Sequence, residues 1–159
     1  MPPEIRYGVA TPDQIEGLSG LELLRKMIAR QLPAPPIAEG LGFLLVEVEE
    51  GRAVFEGVPG PHLLNPLGSV HGGWALTLID SAAGCAVHTI LSPGIGYTTV
   101  ETKVNFTRAI RPDGGLVRCE GKVVSRGRTI ATAEARLISA DGKLLAHGTS
   151  TLMIFPGSG

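Results

Sequence analysis

The chain has 159 residues, the length of one domain, and folding at that size buries ~70% of the unfolded surface without help from a metal or disulfide. Lys plus Arg (14) against Asp plus Glu (15) leave a net charge of -1, which excludes the clustered cationic excess of a non-specific nucleic-acid binder. With 43% hydrophobic, 18% charged and 4% aromatic residues, the composition argues against extensive disorder and offers little to stack on bases.

Residues 1–18 contain Pro2, Pro3, Pro12 and Gly17 and read as a flexible lead-in to a single domain over 19–156. They lack the apolar centre of a secretory signal, and no run in the chain nears the ~18 apolar residues of a membrane span. A cytoplasmic location without a membrane partner is therefore expected. Cys85 and Cys119 form neither a disulfide framework nor a zinc ribbon spacing.

Ser19, with Glu22 at the third helical position, predicts a capped helix over Gly20–Gln31. Its Leu21, Leu24, Ile28 and Leu32 recur at helical steps, and Pro33-Ala34-Pro35-Pro36 stops it. Gly42–Glu49 and Arg52–Val58 read as strands joined at Glu50-Gly51, followed by a loop from Gly60 to Gly68. Gly72–Leu91 is the most apolar stretch, too long for a strand and rich in small residues, and is predicted as a buried helix. Its polar residues Thr77, Asp80, Ser81 and His88 share one side. Beyond Pro93-Gly94 the pattern turns to period two, Val100, Thr102, Val104 and Phe106 alternating with Glu101, Lys103, Asn105 and Thr107. Leu116–Ser125, Thr129–Ser139 and Leu144–Phe155 complete four strands joined largely as a meander. The class is α+β: an antiparallel sheet of about six strands wrapped around one long helix, with an N-terminal helix.

Several chemistries are missing from the sequence. There is no GxxxxGK[ST], GxSxG or SxxK, and Gly94-Ile95-Gly96 meets Thr99 where a dinucleotide fingerprint needs its third glycine. His62, His71, His88 and His147 make no HxxxH pair, so no metal and no cofactor is expected.

One segment carries chemistry, from Asn65 through Gly68, His71, Gly72 and Gly73 to Asp80. Two glycines opening a helix cost roughly 1 kcal/mol each relative to alanine. They serve either close backbone packing or an open helix N-terminus whose N–H groups receive an oxyanion. A carboxylate inside a buried helix is either held by neighbours such as Ser81 and Thr77 or set on a cleft to work. Asp80 lies eight residues beyond Gly72, ~12 Å along a helix axis. One chain cannot bring both groups to one carbonyl. If they cooperate, a second copy related by a two-fold axis supplies one of them.

The pattern Asn-x-x-Gly-x-x-His-Gly-Gly followed by a helical Asp resembles the hotdog-fold acyl-CoA thioesterases of the phenylacetate-pathway (PaaI-like) and 4-hydroxybenzoyl-CoA type, and the resemblance runs from about Gly20 to Phe155. It implies the hotdog fold, an acyl-CoA substrate, and a homodimer or homotetramer with sites at the subunit interface. Residue by residue it implies Asp80 as nucleophile or general base, Gly72 as oxyanion donor, and Asn65 and His71 as groups that orient water, thioester or the loop. Thr99 takes the water-holding position before Val100-Glu101, where relatives often carry Ser. Gly73 would lie along the substrate, and Arg126 and Arg128 are the preferred contacts for the CoA phosphates, ahead of Arg108 and Arg111. Two other readings stand beside it: a hydratase or dehydratase using His71 and Asp80 as an acid–base pair, and a non-catalytic acyl-CoA-binding domain that has no need of Asp80.

Overall fold

The computed structural model describes residues 1–157, in which six strands form one antiparallel sheet around a central helix. In chain order the elements are α1 (Pro12–Ile15), α2 (Gly20–Ile28), α3 (Pro36–Leu41), β1 (Phe43–Glu49), β2 (Arg52–Gly57), α4 (Gly72–His88), β3 (Ile95–Phe106), β4 (Val117–Arg126), β5 (Ile130–Ile138) and β6 (Leu144–Pro156). A 3-10 turn at Pro61–Leu63 interrupts the loop before α4.

Local chemistry sets these boundaries. Ser19 accepts from the Glu22 N–H at 3.2 Å while the Glu22 carboxylate accepts from the Ser19 N–H, the expected capping box. α2 stops at Ile28 rather than Gln31, because Arg30 adopts a positive φ of 59°. α4 stops at His88 rather than Leu91. The Thr89 hydroxyl donates to the Ala86 carbonyl and accepts from the Gly51 N–H, tying the helix end to the β1–β2 turn.

α3 was not anticipated. Pro36 opens it with a preset φ and Gly42 closes it in the left-handed conformation, so the proline run expected to stop α2 instead starts α3. Residues of the lead-in are also engaged, Tyr7 pairing with Ala34 in a parallel bridge ahead of α1.

The strand order β1-β2-β4-β5-β6-β3 keeps β4, β5 and β6 as a meander but sends β3 to the far edge, beside β6. β3 therefore departs from a sequential meander. It follows α4, and the helix carries the chain across the sheet before β3 pairs antiparallel with the last strand. The concave face closes on α4, where Leu78, Ile79, Ala82, Ala83 and Ala86 expose nothing. Truncating Leu78 there would cost about 2–5 kcal/mol. Small residues let helix and sheet approach closely: a Cβ at Gly121 on β4 would collide with the Ala82 carbonyl. On the convex face Arg52 and Arg118 knit β1, β2 and β4 together through Glu47, Glu56 and Glu120. No described helix is long and apolar enough to cross a membrane.

Candidate active site

Asp80 sits two turns inside α4, half-buried, and faces β3 rather than the sheet interior. Its carboxylate is held by neither Thr77 nor Ser81. Thr77 donates instead to the Gly73 carbonyl at 2.8 Å. The donors to Asp80 come from β3: Thr99 Oγ1 at 2.9 Å and Thr102 Oγ1 at 3.3 Å, both on Oδ1.

That convergence needs a bulge. In a regular strand, residues three apart point to opposite faces. The β3–β6 register slips between Thr99 and Glu101, which inserts Val100 as an unpaired residue and resets the alternation. Thr99 and Thr102 then share the inner face, and Val100, expected inside with Thr102 and Val104, is 55% exposed. Behind Thr102 lies Ser150, its register partner on β6, 1% exposed and 2.6 Å away between hydroxyl oxygens. Thr102 has one hydroxyl proton. With that proton given to Asp80, Ser150 donates to Thr102, so the chain of donors ends on Oδ1. Among the described hydrogen bonds Oδ2 accepts none.

Asp80 lies between two spaces and lines both, together with Ile37 and Thr99. On one side is a cavity of about 480 Å³, walled by Met27, Ala38, Phe43, Leu45, Phe55 and Tyr97, within the range of small-molecule sites. On the other is a shallower groove between Leu76 and Thr77 of α4 and the Val100–Thr102 segment of β3. Trp74 lines neither. It is a core residue, 3% exposed, its indole N–H donating to the Leu41 carbonyl. At the inner end of the cavity burial pushes the Cys85 thiol up to about 12, despite the Tyr97 hydroxyl beside it. Such a thiol is protonated and inert as a nucleophile. His88 packs against Tyr97 with ring centroids 5.3 Å apart, and burial lowers its pKa, keeping the imidazole neutral.

The N-terminus of α4 forms a separate station. His71 is its N-cap, Nδ1 accepting from the Gly73 N–H at 2.8 Å. This satisfies one glycine amide and leaves the neighbouring Gly72 N–H, for which the described hydrogen bonds give no acceptor. Gly72 lines an open groove with Phe106, whose ring lies 3.0 Å from where a Cβ would sit. Asn65 organises the approach, its Oδ1 accepting from the Leu67 and Ser69 N–H groups at 3.0 and 3.1 Å. Thus Asn65 and His71 shape the loop and present Gly72, and Gly73 is occupied by its own cap. Arg126 and Arg128 are exposed in the β4–β5 turn and line neither the Asp80 cavity nor the Gly72 groove. Among the described residues no cluster of His, Cys, Asp or Glu could hold a metal ion.

Comparison with known proteins settles the kinship. The thioesterase superfamily model matches residues 67–146, the span from the loop before α4 into β6. A Saccharolobus solfataricus protein assigned by name as an esterase is 33% identical, over 76% of this chain and 84% of its own. The chain belongs to the thioesterase superfamily. Its hotdog architecture recurs in a phenylacetic acid degradation-related thioesterase of Ralstonia eutropha, at 30% identity and a TM-score of 0.74 over 82% of this chain and 98% of that one. A Streptococcus pneumoniae thioesterase protein solved with coenzyme A shares the fold, at 22% identity and a TM-score of 0.67 over 74% of this chain and 89% of that one. This thioesterase is a thioester hydrolase, and Asp80, Gly72, His71, Gly73 and Thr99 all lie within the matched span.

Thr102 and Ser150 escaped the sequence reading. Strict alternation puts Thr102 on the opposite face from Thr99, and nothing in Thr98-Thr99-Val100-Glu101 announces the bulge. Ile37 and Ala38 escaped because their helix did, although Pro36 and Gly42 bracket it legibly.

Proposed function

We propose that the protein hydrolyses acyl-CoA thioesters at two equivalent centres of a homodimer, each built from Asp80 of one protomer and Gly72 of its partner. The observation that carries this is the one-sided holding of Asp80, which lines a mostly apolar cavity: two hydroxyls donate to Oδ1 and no described hydrogen bond reaches Oδ2. Here one is anchored and the other offered.

The acyl group enters the cavity and the thioester carbon comes to rest beside Oδ2. Oδ2 supplies the attacking electron pair directly, giving an anhydride, or takes a proton from water so that the water attacks. The carbonyl oxygen gains charge and is met by the partner's Gly72 N–H at the positive end of its helix. The C–S bond breaks, CoA leaves as thiolate and takes a proton, and the acid is released with water's oxygen balancing the products.

The sheet edge supports the pairing. β3 is a 12-residue edge strand with Val100 55% and Phe106 57% exposed, and Leu76 of α4 stands exposed beside it. A long unpaired edge of this kind calls for a partner. A second copy pairing antiparallel through β3 covers it and turns each α4 N-terminus toward the other protomer's Asp80.

Alternative chemistry fits less well. His71 and Asp80 stand nine residues apart on one helix, ~13 Å along its axis, and His71 Nδ1 is occupied, which removes the acid–base pair of a hydratase within one chain. The test is release of free CoA from a panel of acyl-CoAs. Hydrolysis lost in Asp80→Asn is the expected result, and water addition without CoA release overturns the assignment.

A further inference from the structure

Met27, Ala34, Leu44 and Leu45 form one wall of the cavity at Asp80, and the same four residues line a second, smaller pocket of about 190 Å³. The rest of that pocket is mostly apolar, with Ile5, Ile28, Leu32 and Val46. Two features of the chain build it. The β1–β2 register slips between Leu45 and Glu47, which leaves Val46 without a partner on β2. The lead-in closes another side, strapped to the segment after α2: the Ala34 N–H donates to the Arg6 carbonyl and the Gly8 N–H to the Ala34 carbonyl, both at 2.9 Å. Arg6 and Arg30, also in the lining, donate to the Gln31 and Pro3 carbonyls and tie the lead-in to the end of α2. Every residue lining this pocket precedes the span 67–146 matched by the thioesterase superfamily model. Of the four shared residues only Met27, half-buried on α2, has a long unbranched side chain, the kind that fills an irregular gap and gives way when pushed.

We propose that Met27 sets the length of the acyl chain this enzyme accepts: its side chain is the partition between the cavity at Asp80 and the pocket closed by the lead-in, and an alkyl tail that reaches it goes no further without displacing it. The inference rests on the acyl-CoA reading above and narrows the substrate to acyl groups with an apolar tail. Up to the partition, each methylene that leaves water strengthens binding about fourfold. Beyond it, the gain is offset by moving Met27 out of its packing. Cutting Met27 back to Cβ removes that cost and makes room for about three more carbons, each with its own share of burial.

The experiment measures kcat/KM along a series of straight-chain acyl-CoAs of increasing length, and the affinity of fatty acids of the same lengths by displacement of a fluorescent fatty acid. The parent is expected to gain with length up to a limit. Met27→Ala should raise kcat/KM about tenfold or more for chains about two or three carbons past that limit, and leave shorter chains at the parent values. Met27→Leu, close to methionine in volume, keeps the parent limit. Val46→Phe, which narrows the second pocket alone, leaves the parent profile unchanged and cancels the gain when added to Met27→Ala. Met27→Val, a milder truncation, moves the limit the same way by less and carries the test if the alanine variant folds poorly. A limit that stays put in the folded truncations, a change equal at every length, or a gain that survives Val46→Phe overturns the inference. So does a parent active only on aromatic acyl-CoAs or equally active at every length, results that leave the hydrolase reading standing. A parent that hydrolyses no acyl-CoA but whose fatty-acid preference lengthens in Met27→Ala supports the partition and removes the hydrolase reading instead.

Discussion

The two ends of the chemistry on α4 are furnished differently. The middle of the helix is complete within one chain: Asp80 has its donors Thr99 and Thr102, Ser150 behind them, and a cavity in front. The N-terminus is prepared but bare. His71 and Asn65 spend their hydrogen bonds on the loop and the helix cap, and what they present is a single amide on an open groove. A carboxylate must be fixed against motion and desolvation before it can act, which takes neighbours. A backbone amide is already fixed by the helix and needs only to be left uncovered. On the proposed reading each station is finished to the degree its chemistry demands, and a working centre takes one of each.

The sharpest way to break this contrast is to remove each station without disturbing the fold. Asp80→Asn keeps an oxygen for Thr99 and Thr102 and removes the attacking group, so kcat should fall ~10²–10⁴-fold with thermal stability close to the parent. At the other station Gly72→Pro deletes the amide proton at the first helical position, where proline is tolerated and where His71, at φ -59° and ψ 134°, already has the backbone proline prefers before it. The expected loss is ~10²–10³ in kcat. Gly72→Ala brings the same Cβ toward Phe106 but keeps the N–H, and should lose far less. Equal losses in the two variants would reassign Gly72 to packing.

Smaller effects refine the picture of the carboxylate clamp. Thr102→Val should lower kcat about tenfold, Thr102→Ser should restore it, and Ser150→Ala should cost only a few-fold, because Thr102 retains its own proton for Asp80. Steady-state kinetics with KM unchanged would mark these as positioning residues.

The smallest effect on turnover is expected on the convex face. Arg118 and Arg52 hold the Glu47 carboxylate below the usual range. Glu120 is pushed up by burial but lowered overall by Lys122 and Arg52. Carboxylates depressed on folding add stability above their unfolded values, and that stability is lost as pH falls through the folded ones. Arg52→Met should therefore flatten the acid limb of urea-midpoint measurements while leaving hydrolysis at neutral pH intact.

How much of this was readable beforehand follows from what each signal depends on. The six strands, the capped α2 and the buried α4 are written in local patterns, since Ser19 and Glu22 or the Ala-rich run after Trp74 act within a few residues. Asp80 and Gly72 were legible because a charge in an apolar helix and a glycine pair at its start each cost free energy that something must offset. The position of β3 beside β6 was not legible, because pairing after a long helix is decided by the whole sheet. Thr102 was hidden by one inserted residue, Val100, which reverses the facing of all that follows. Ser150 reads as one more small residue in the Gly148–Thr151 run until its register partner is known.

The account stands or falls on the sharing of each centre between two chains. Asp80→Asn and Gly72→Pro protein, each inactive alone, are to be dissociated, mixed in equal amounts and reassembled. Random pairing makes half the dimers mixed, each with one intact centre and one doubly altered, so about a quarter of parental turnover should return. Recovery at that level is what a split centre predicts. A mixture that forms mixed dimers yet stays as inactive as its components would place Asp80 and Gly72 in separate business and contradict the account.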